Sequence, residues 1–452
     1  MAKRLDSPTR TPRRPSRTSS AEGRGVQMPV EGNRRRWLAY AVLLAGIGWI
    51  GWQIIGNTIA DTRATTDPQL ALWWRPDLPA ALVALSEQKL QAGKTDEDLV
   101  DVSNLAKQAM VASPIAAGAL HMAALAEDGK GNGAKARLLM NLANRQSLRD
   151  TVAEAWLFDH DLADGQFPSA LAIADAMLRT RPDLAGKLFP ALAKIAAEPA
   201  GMKALVNLLV TDPPWRAQLL SALPRLADQS VAYGVLTGLG STALGVRPSE
   251  TKPYIDQLVR IGQIQSGYFA WLHFLSPQQS RAVSYLYNGD FEQPLGGTAF
   301  DWLVSEIHGA ETEIVDTGDR EHGHAVRVTF ANTRVAYRNL SKLLVLPPGH
   351  YQLSGLVKAD HLENDRGMAW QLSCADGDKR TIAETNRVSG THGWQSFATT
   401  FEVPDTGCYA QWLTLELAAR VALEQQVGGE VWYDDLAVKR EQGTIASGAA
   451  GD

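Results

Sequence analysis

Residues 93–95 read Gly-Lys-Thr, which resembles the end of a loop that cradles phosphates with its backbone N–H groups. Such a loop needs a second glycine five residues earlier, and position 88 is Gln. There is no Gly-x-Ser-x-Gly turn to expose a serine nucleophile. His322 and His324 would share one face of a strand, but two imidazoles do not make a zinc site. Glycoside hydrolysis needs two carboxylates at a set separation across a cleft. Glu311, Glu313, Asp376, Asp378 and Glu416 supply acids, and nothing in their spacing selects a pair. His121 and His273 sit in apolar helical stretches and are expected to pack there. These residues argue against an enzyme and require no cofactor. Cys374 and Cys408 are the only cysteines, too few for a disulfide-dense scaffold or a four-cysteine zinc site.

The elements that carry these residues fall into distinct stretches. The 452 residues exceed one ordinary core, and 45% hydrophobic against 21% charged residues means that most of the chain folds. Residues 1–36 hold ten Lys/Arg against three acids, whereas the remainder holds 34 against 46. An acidic body argues against nucleic acid as a partner. The basic leader lacks the apolar residues that offset ordering entropy and is expected to be disordered.

Residues 37–60 carry no charge and, at about 1.5 Å per residue, are long enough to cross a hydrocarbon layer of about 30 Å. Trp37 and Tyr40 lie towards one end, Trp49 and Trp52 towards the other, and Arg34-Arg35-Arg36 precede the run. The positive-inside rule then places the N-terminus in the cytoplasm and the bulk outside it, in the periplasm if the membrane is an inner membrane. Thr58-Ile59-Ala60 also fits a cleavage site, so a removed signal peptide is the rival reading.

Residues 68–285 are dense in Ala and Leu at helical spacing. Gly131 maps on Gly165, Ala136 on Ala170 and Ala119 on Ala153 at a period of 34. Helix pairs are expected at 115–127 with 133–146, and at 150–163 with 167–180. This spacing resembles the tetratricopeptide repeat, whose helical hairpins stack into a solenoid that holds protein partners. Arg75-Pro76-Asp77-Leu78 recurs at 181–184, each copy opening a helix. Tyr268, Phe269, Trp271 and Phe274 are expected in a core or an interdomain contact. A rigid spacer is the plainer role for such a stretch.

After Tyr285, turn residues alternate with β-branched and aromatic residues at period two. Strands are expected at 323–331, 334–346, 350–359, 368–375, 380–388, 394–403, 409–418 and 429–439. Eight short strands suit an antiparallel jelly-roll sandwich over 286–440, followed by a flexible tail at 441–452. Several motifs here resemble the carbohydrate-binding-module jelly rolls. They are Asn288-Gly289-Asp290-Phe291-Glu292, Phe300-Asp301-Trp302, the run 348–355, Gly393-Trp394-Gln395-Ser396-Phe397, Phe401-Glu402-Val403-Pro404 and Trp432-Tyr433-Asp434-Asp435-Leu436. The resemblance implies a structural calcium ion joining the first and last strands. Its ligands would be Glu292, Asp435 and the Asp290 carbonyl, an incomplete set for an ion that takes six to eight oxygens. Solvated turn carboxylates are the alternative.

In a jelly-roll order the strands at 368–375 and 409–418 are antiparallel neighbours. Facing Cys374 against Cys408 predicts a cross-strand disulfide in an oxidising compartment. The same register sets Leu372 opposite Ala410 and Trp370 opposite Trp412. Leu413, Leu415 and Leu417 alternate inward, which sends Trp412 outward. A Trp370–Trp412 pair on one face would stack sugar rings, with Tyr337, Arg334 and Arg338 adding hydrogen bonds. Leu372 on that face, a bulge, or a covering helical domain would each undo this site. Trp394 and Trp432 are expected in the core, and Trp302 at the sandwich end.

The expected whole is a single-pass inner-membrane scaffold with a helical-repeat domain and a jelly roll, acting in envelope or exopolysaccharide assembly or export. Its partners would be an envelope polysaccharide or the proteins that assemble it. A protein–protein assembly factor without sugar binding, and an envelope glycan hydrolase or lyase, are the competing classes.

Overall fold

The computed structural model describes residues 31–147, 150–318, 323–376 and 379–441. The expected disordered leader lies outside them up to residue 30, and the flexible tail from residue 442. Contacts divide the chain into two compact units, Met1–Ser147 and Leu148–Asp452. The division falls inside the helical stretch rather than at the expected 285/286 join.

The first unit holds α1 (Glu31–Arg63), α2 (Pro68–Trp74), α3 (Pro79–Ala92), α4 (Asp96–Ala112), α5 (Ala117–Gly129) and α6 (Gly133–Gln146). Helix starts follow from local chemistry. Asp67 accepts a bond from Leu70 N ahead of Pro68, whose fixed φ suits a first helical turn. Thr95 caps α4 and exchanges bonds with Asp98. Gly93-Lys94-Thr95 is therefore a helix start. Small residues let the helices approach closely, with Val102, Ala106, Met122, Ala123 and Ala126 sharing one core cluster.

The second unit begins with α7 (Thr151–Ala163), α8 (Phe167–Thr180), α9 (Ala185–Ala197), α10 (Pro199–Leu209) and α11 (Arg216–Leu226). It continues with α12 (Gln229–Gly240), α13 (Pro248–Arg260), α14 (Ile264–Phe274) and α15 (Pro277–Arg281). The turns after α5 and α7 carry Gly131 and Gly165 at φ of +79° and +67°, a conformation that favours glycine. Arg216 is buried yet fully paired. It donates to both Glu250 oxygens at 2.8 Å and to the carbonyls of Leu209 and Gly245, which ties α11 to α13.

The strands are β1 (Leu303–Val304), β2 (Ala310–Asp316), β3 (His324–Arg334), β4 (Leu340–Leu344) and β5 (Gly349–Glu363). They continue as β6 (Met368–Cys374), β7 (Thr381–Glu384), β8 (Gly390–Val403), β9 (Gln411–Leu417) and β10 (Gln426–Arg440). They form two antiparallel sheets, β1-β4-β9-β6-β7 and β2-β3-β10-β5-β8, as in a β-sandwich. β1 and β2 fall where no strand was expected. The inward residues of both sheets, Tyr351, Leu353, Trp370, Leu372, Leu413, Leu415, Val431 and Tyr433, share one core with Trp302 and Tyr337 from the connecting segments. The aromatic rings meet in a chain, Phe291 to Trp302 to Trp370 to Tyr433, at centroid distances of 5.2, 5.6 and 5.3 Å.

The helical core continues onto the outer face of the first sheet. Tyr254, Ile255 and Trp271 cluster with Tyr287, Phe300, Leu343 and Ala410, and Trp412 packs against the same cluster. Trp271 lies 5.3 Å from Tyr287 and 6.1 Å from Phe300. Part of the first sheet's outer face, around Leu343, Ala410 and Trp412, is therefore covered by helices of its own unit.

Candidate functional site

The second sheet, β2-β3-β10-β5-β8, keeps solvent access on its outward positions. Strand alternation selects them, since Val326, Val328, Val431, Tyr433, Val357 and Ala359 all point into the core. Their neighbours form a row across four strands. Glu313 faces Arg327, Arg327 faces Trp432, and Trp432 faces Lys358. Each of these four is partly exposed. The Lys358 ammonium lies 4.8 Å from the Trp432 ring centroid, a cation–π contact. Arg327 is hydrogen-bonded to Glu313, and its second nitrogen lies 3.9 Å from Glu430. The bond to Glu313 holds the Arg327 pKa above its ordinary value. A parallel row reads Glu311, Thr329, Glu430 and Asp360. Trp394 lies on β8 on the same side, two residues before Ser396, which faces Leu356. It too is partly exposed. The face thus offers a flat apolar ring bounded by carboxylates and two cations. That combination suits a ligand with one C–H face and a rim of hydroxyls.

Trp394 and Trp432 are not core residues, contrary to expectation, and the Trp370–Trp412 face does not form. The β6–β9 ladder is displaced by three residues from the expected register: Leu372 faces Leu413, Trp370 faces Leu415, and Cys374 faces Gln411. An odd displacement turns every side chain to the opposite face. Trp370 is accordingly fully buried in the sandwich core. Its former partner Trp412 does point outward, but the helical cluster packs over it. Tyr337 is also fully buried, its hydroxyl 2.7 Å from Thr312 Oγ1. Arg334 ends β3, exposed, opposite Gln426. Arg338 is exposed and pairs at 2.9 Å with Glu416, whose pKa burial raises. With Gln371, Glu384 and Arg387 these two line a polar cavity of about 330 Å³ on the first sheet.

The Cys374–Cys408 disulfide is present, with the Cα atoms 4.9 Å apart. Cys408 lies in the turn before β9, so the bridge and the ladder are set independently. Gln411 takes the ladder position, and its side chain bonds Cys408 O at 2.7 Å and Leu346 N at 3.0 Å.

The opening and closing motifs meet at one corner. Leu436 N donates to Gly289 O at 2.8 Å, and a Cβ on Gly289 would lie 1.9 Å from Leu436 O, so no larger residue fits. Asn288, Phe291 and Asp435 all hold φ near +50° here, a strained conformation for side-chain-bearing residues. Asp434 is buried at this corner. Burial pushes its carboxyl up to about 7, and the charges of Asp435, Asp290 and Glu292 push the same way. Glu292 accepts from His324 N at 2.8 Å and meets His324 Nδ1 at 2.9 Å, which holds its own pKa low and raises that of His324. The corner has the negative charge that a calcium ion neutralises, but both Glu292 oxygens face His324. Among the described residues no three His, Cys, Asp or Glu side chains group closely enough to hold a metal. Asp434 was not singled out from the sequence; the charges of Asp290, Glu292 and Asp435 act on it. His322 and Asp378 lie outside the described residues.

No protein-family model matches this chain, and no curated protein matches it. Solved structures that resemble it include carbohydrate-binding modules matching the C-terminal sheet region. One, described as "CBM4 structure and function", is 17% identical, covering 34% of this chain and 99% of its own, with a TM-score of 0.27. A putative sugar binding protein from Bacteroides thetaiotaomicron is 13% identical, covering 35% and 100%, with a TM-score of 0.27. TmCBM61 in complex with β-1,4-galactotriose is 19% identical, covering 35% and 99%, with a TM-score of 0.25.

Proposed function

We propose that this protein is a non-catalytic, membrane-anchored scaffold whose sandwich contacts a glycan through the outer face of β2-β3-β10-β5-β8. The observation that carries the reading is the row Glu313, Arg327, Trp432, Lys358 on the solvent-accessible sheet, opposite a sheet whose Trp412 lies under the helices. A pyranose stacks its C–H face on Trp432, while Glu313, Glu430 and Asp360 accept from its hydroxyls. Trp394 extends the platform for a second residue of the polymer. α1 supports the anchor, since Trp37–Arg63 is long and apolar enough to cross a membrane and follows three arginines. The helical hairpins then serve to gather partner proteins at an envelope polysaccharide, on the extracytoplasmic side of an inner membrane. Titrating the detergent-solubilised full chain with a panel of bacterial exopolysaccharides, read by tryptophan fluorescence, tests this. Saturable binding is expected for at least one acidic or neutral polymer. No binding across the panel by folded protein contradicts it and favours the protein–protein assembly factor; turnover of a polymer would instead make it a hydrolase or lyase.

A structural calcium ion belongs to the same proposal. Asp434 and Asp435 would hold it, with Glu292 released from His324, and the ion would neutralise the corner's charge. Calcium should then raise the melting temperature of the wild-type protein at pH 8 and do little for Asp434→Asn. An unchanged wild-type transition rejects the metal without touching the glycan face.

A further inference from the structure

We propose that α2 is an interfacial membrane helix, which returns along the end of α1 and sets Leu70 and Trp73 into the headgroup layer of the bilayer. This rests on the reading of α1 as the membrane anchor and adds where the anchor ends and what else touches lipid.

The depth of α2 is read from its contacts with α1. The Trp74 ring lies 4.8 Å from Trp52, tilted to it, and so close to Gly56 that a Cβ there would be 2.3 Å from it. Ala60 of α1 and Ala64 just beyond it are buried with Ala71, Leu78 and Ala81. Ala60, at the far end of the expected span 37–60, faces protein. From Trp37 to Gly56 is 20 residues, about 30 Å of helix, which matches the hydrocarbon core. The bilayer surface then lies at the level of Trp52 to Gly56, which is the level of Trp74.

The outward side of α2 suits that level. Leu70 is 40% and Trp73 68% exposed, three residues apart on one helical face. Trp73 and Trp74 stand edge to face at 4.8 Å, so three tryptophans collect at one depth with Trp52. Indole rings prefer this layer, where the ring is apolar and the N–H meets water. The exposed apolar surface of α1, from Trp37 to Ile55, carries no charged residue. Charge appears beyond that surface, at Asp61, Arg63 and Asp67, the last of which caps α2 through Leu70 N. Arg75, next to Trp74, turns its guanidinium back to Asp61 at 3.1 Å, about 7.5 Å above Gly56 along α1.

The test is site-directed spin labelling of the full-length protein in phosphatidylcholine–phosphatidylglycerol vesicles, with the native disulfide left oxidised. Nitroxides at Leu70→Cys and Trp73→Cys are compared with Leu44→Cys in the middle of α1 and Lys94→Cys beyond it. Collision with oxygen relative to a water-soluble nickel complex reports depth. The expected ratios at positions 70 and 73 are severalfold above that at 94 and below that at 44. Ratios equal to that at 94, or labels shielded from both reagents as under a protein partner, overturn the proposal while a deep label at 44 keeps the anchor. A label at 44 that is as wet as that at 94 overturns both readings.

Discussion

Asp434 is held at a corner where burial and three neighbouring acids all oppose its charge, which lifts its pKa to about 7. In the unfolded chain the same group ionises near pH 4. The folded state therefore binds the proton more tightly, and this group's contribution to stability falls as pH rises from about 4 to about 7 and then levels off. Asp434→Asn removes the penalty and keeps an acceptor for the Asp435 N–H. In metal-free buffer the variant should melt higher than wild type at pH 8, with the gain vanishing near pH 4; an equal shift at both values contradicts the account. The same scale explains two misread tryptophans. Trp432 and Tyr433 are adjacent in a strand, so they must point to opposite faces, and nothing local says which one goes inside. Tyr433 does, at 1% exposure. For Trp370 the signal was available: Met368, Trp370 and Leu372 alternate with Ala369, Gln371 and Ser373, which places Trp370 on the apolar side.

At the scale of elements, helix ends and strand positions were legible because capping residues, proline and turn glycines mark them directly. Register was not, because it depends on where a turn ends. The disulfide identified β6 and β9 as neighbours, but Cys408 sits three residues before β9, and counting it as a ladder position shifted the pairing by an odd number. Removing the bridge frees a loop with a sequence separation of 34. Cys374→Ser with Cys408→Ser should cost about 2–4 kcal/mol, measured by denaturant unfolding, without changing the strand register. β4 carries a second internal tie that no pattern announced. Lys342 is buried, with its ammonium 2.8 Å from Tyr287 O and 2.9 Å from Asp301 O, and burial pushes its pKa down to about 7. Lys342→Met leaves two buried carbonyls without this donor, so the sandwich should lose about 1–3 kcal/mol per orphaned group. A neutral substitution would show that solvent reaches those carbonyls.

For the whole molecule, sequence texture separated a long apolar helix, shorter helices and strands, but not the units that they build. The apolar cluster of α8–α14 runs on into Phe300, Leu343 and Ala410, so the later helices and the sandwich form one unit, closing the face on which Trp412 stands. That cover removes Trp412 from the available surface, and it could not be read before the helices were in place. The central claim is that the open sheet, through Trp432, is the glycan-contacting surface. Affinity electrophoresis of the full chain through gels containing the polysaccharide that binds, comparing wild type, Trp432→Ala and Trp412→Ala, tests it most directly. Truncating a central aromatic contact typically costs about 2 kcal/mol or more, on the order of thirtyfold in affinity. Retardation should be lost in Trp432→Ala and kept in Trp412→Ala. The reverse pattern, or equal retardation of all three, contradicts the account.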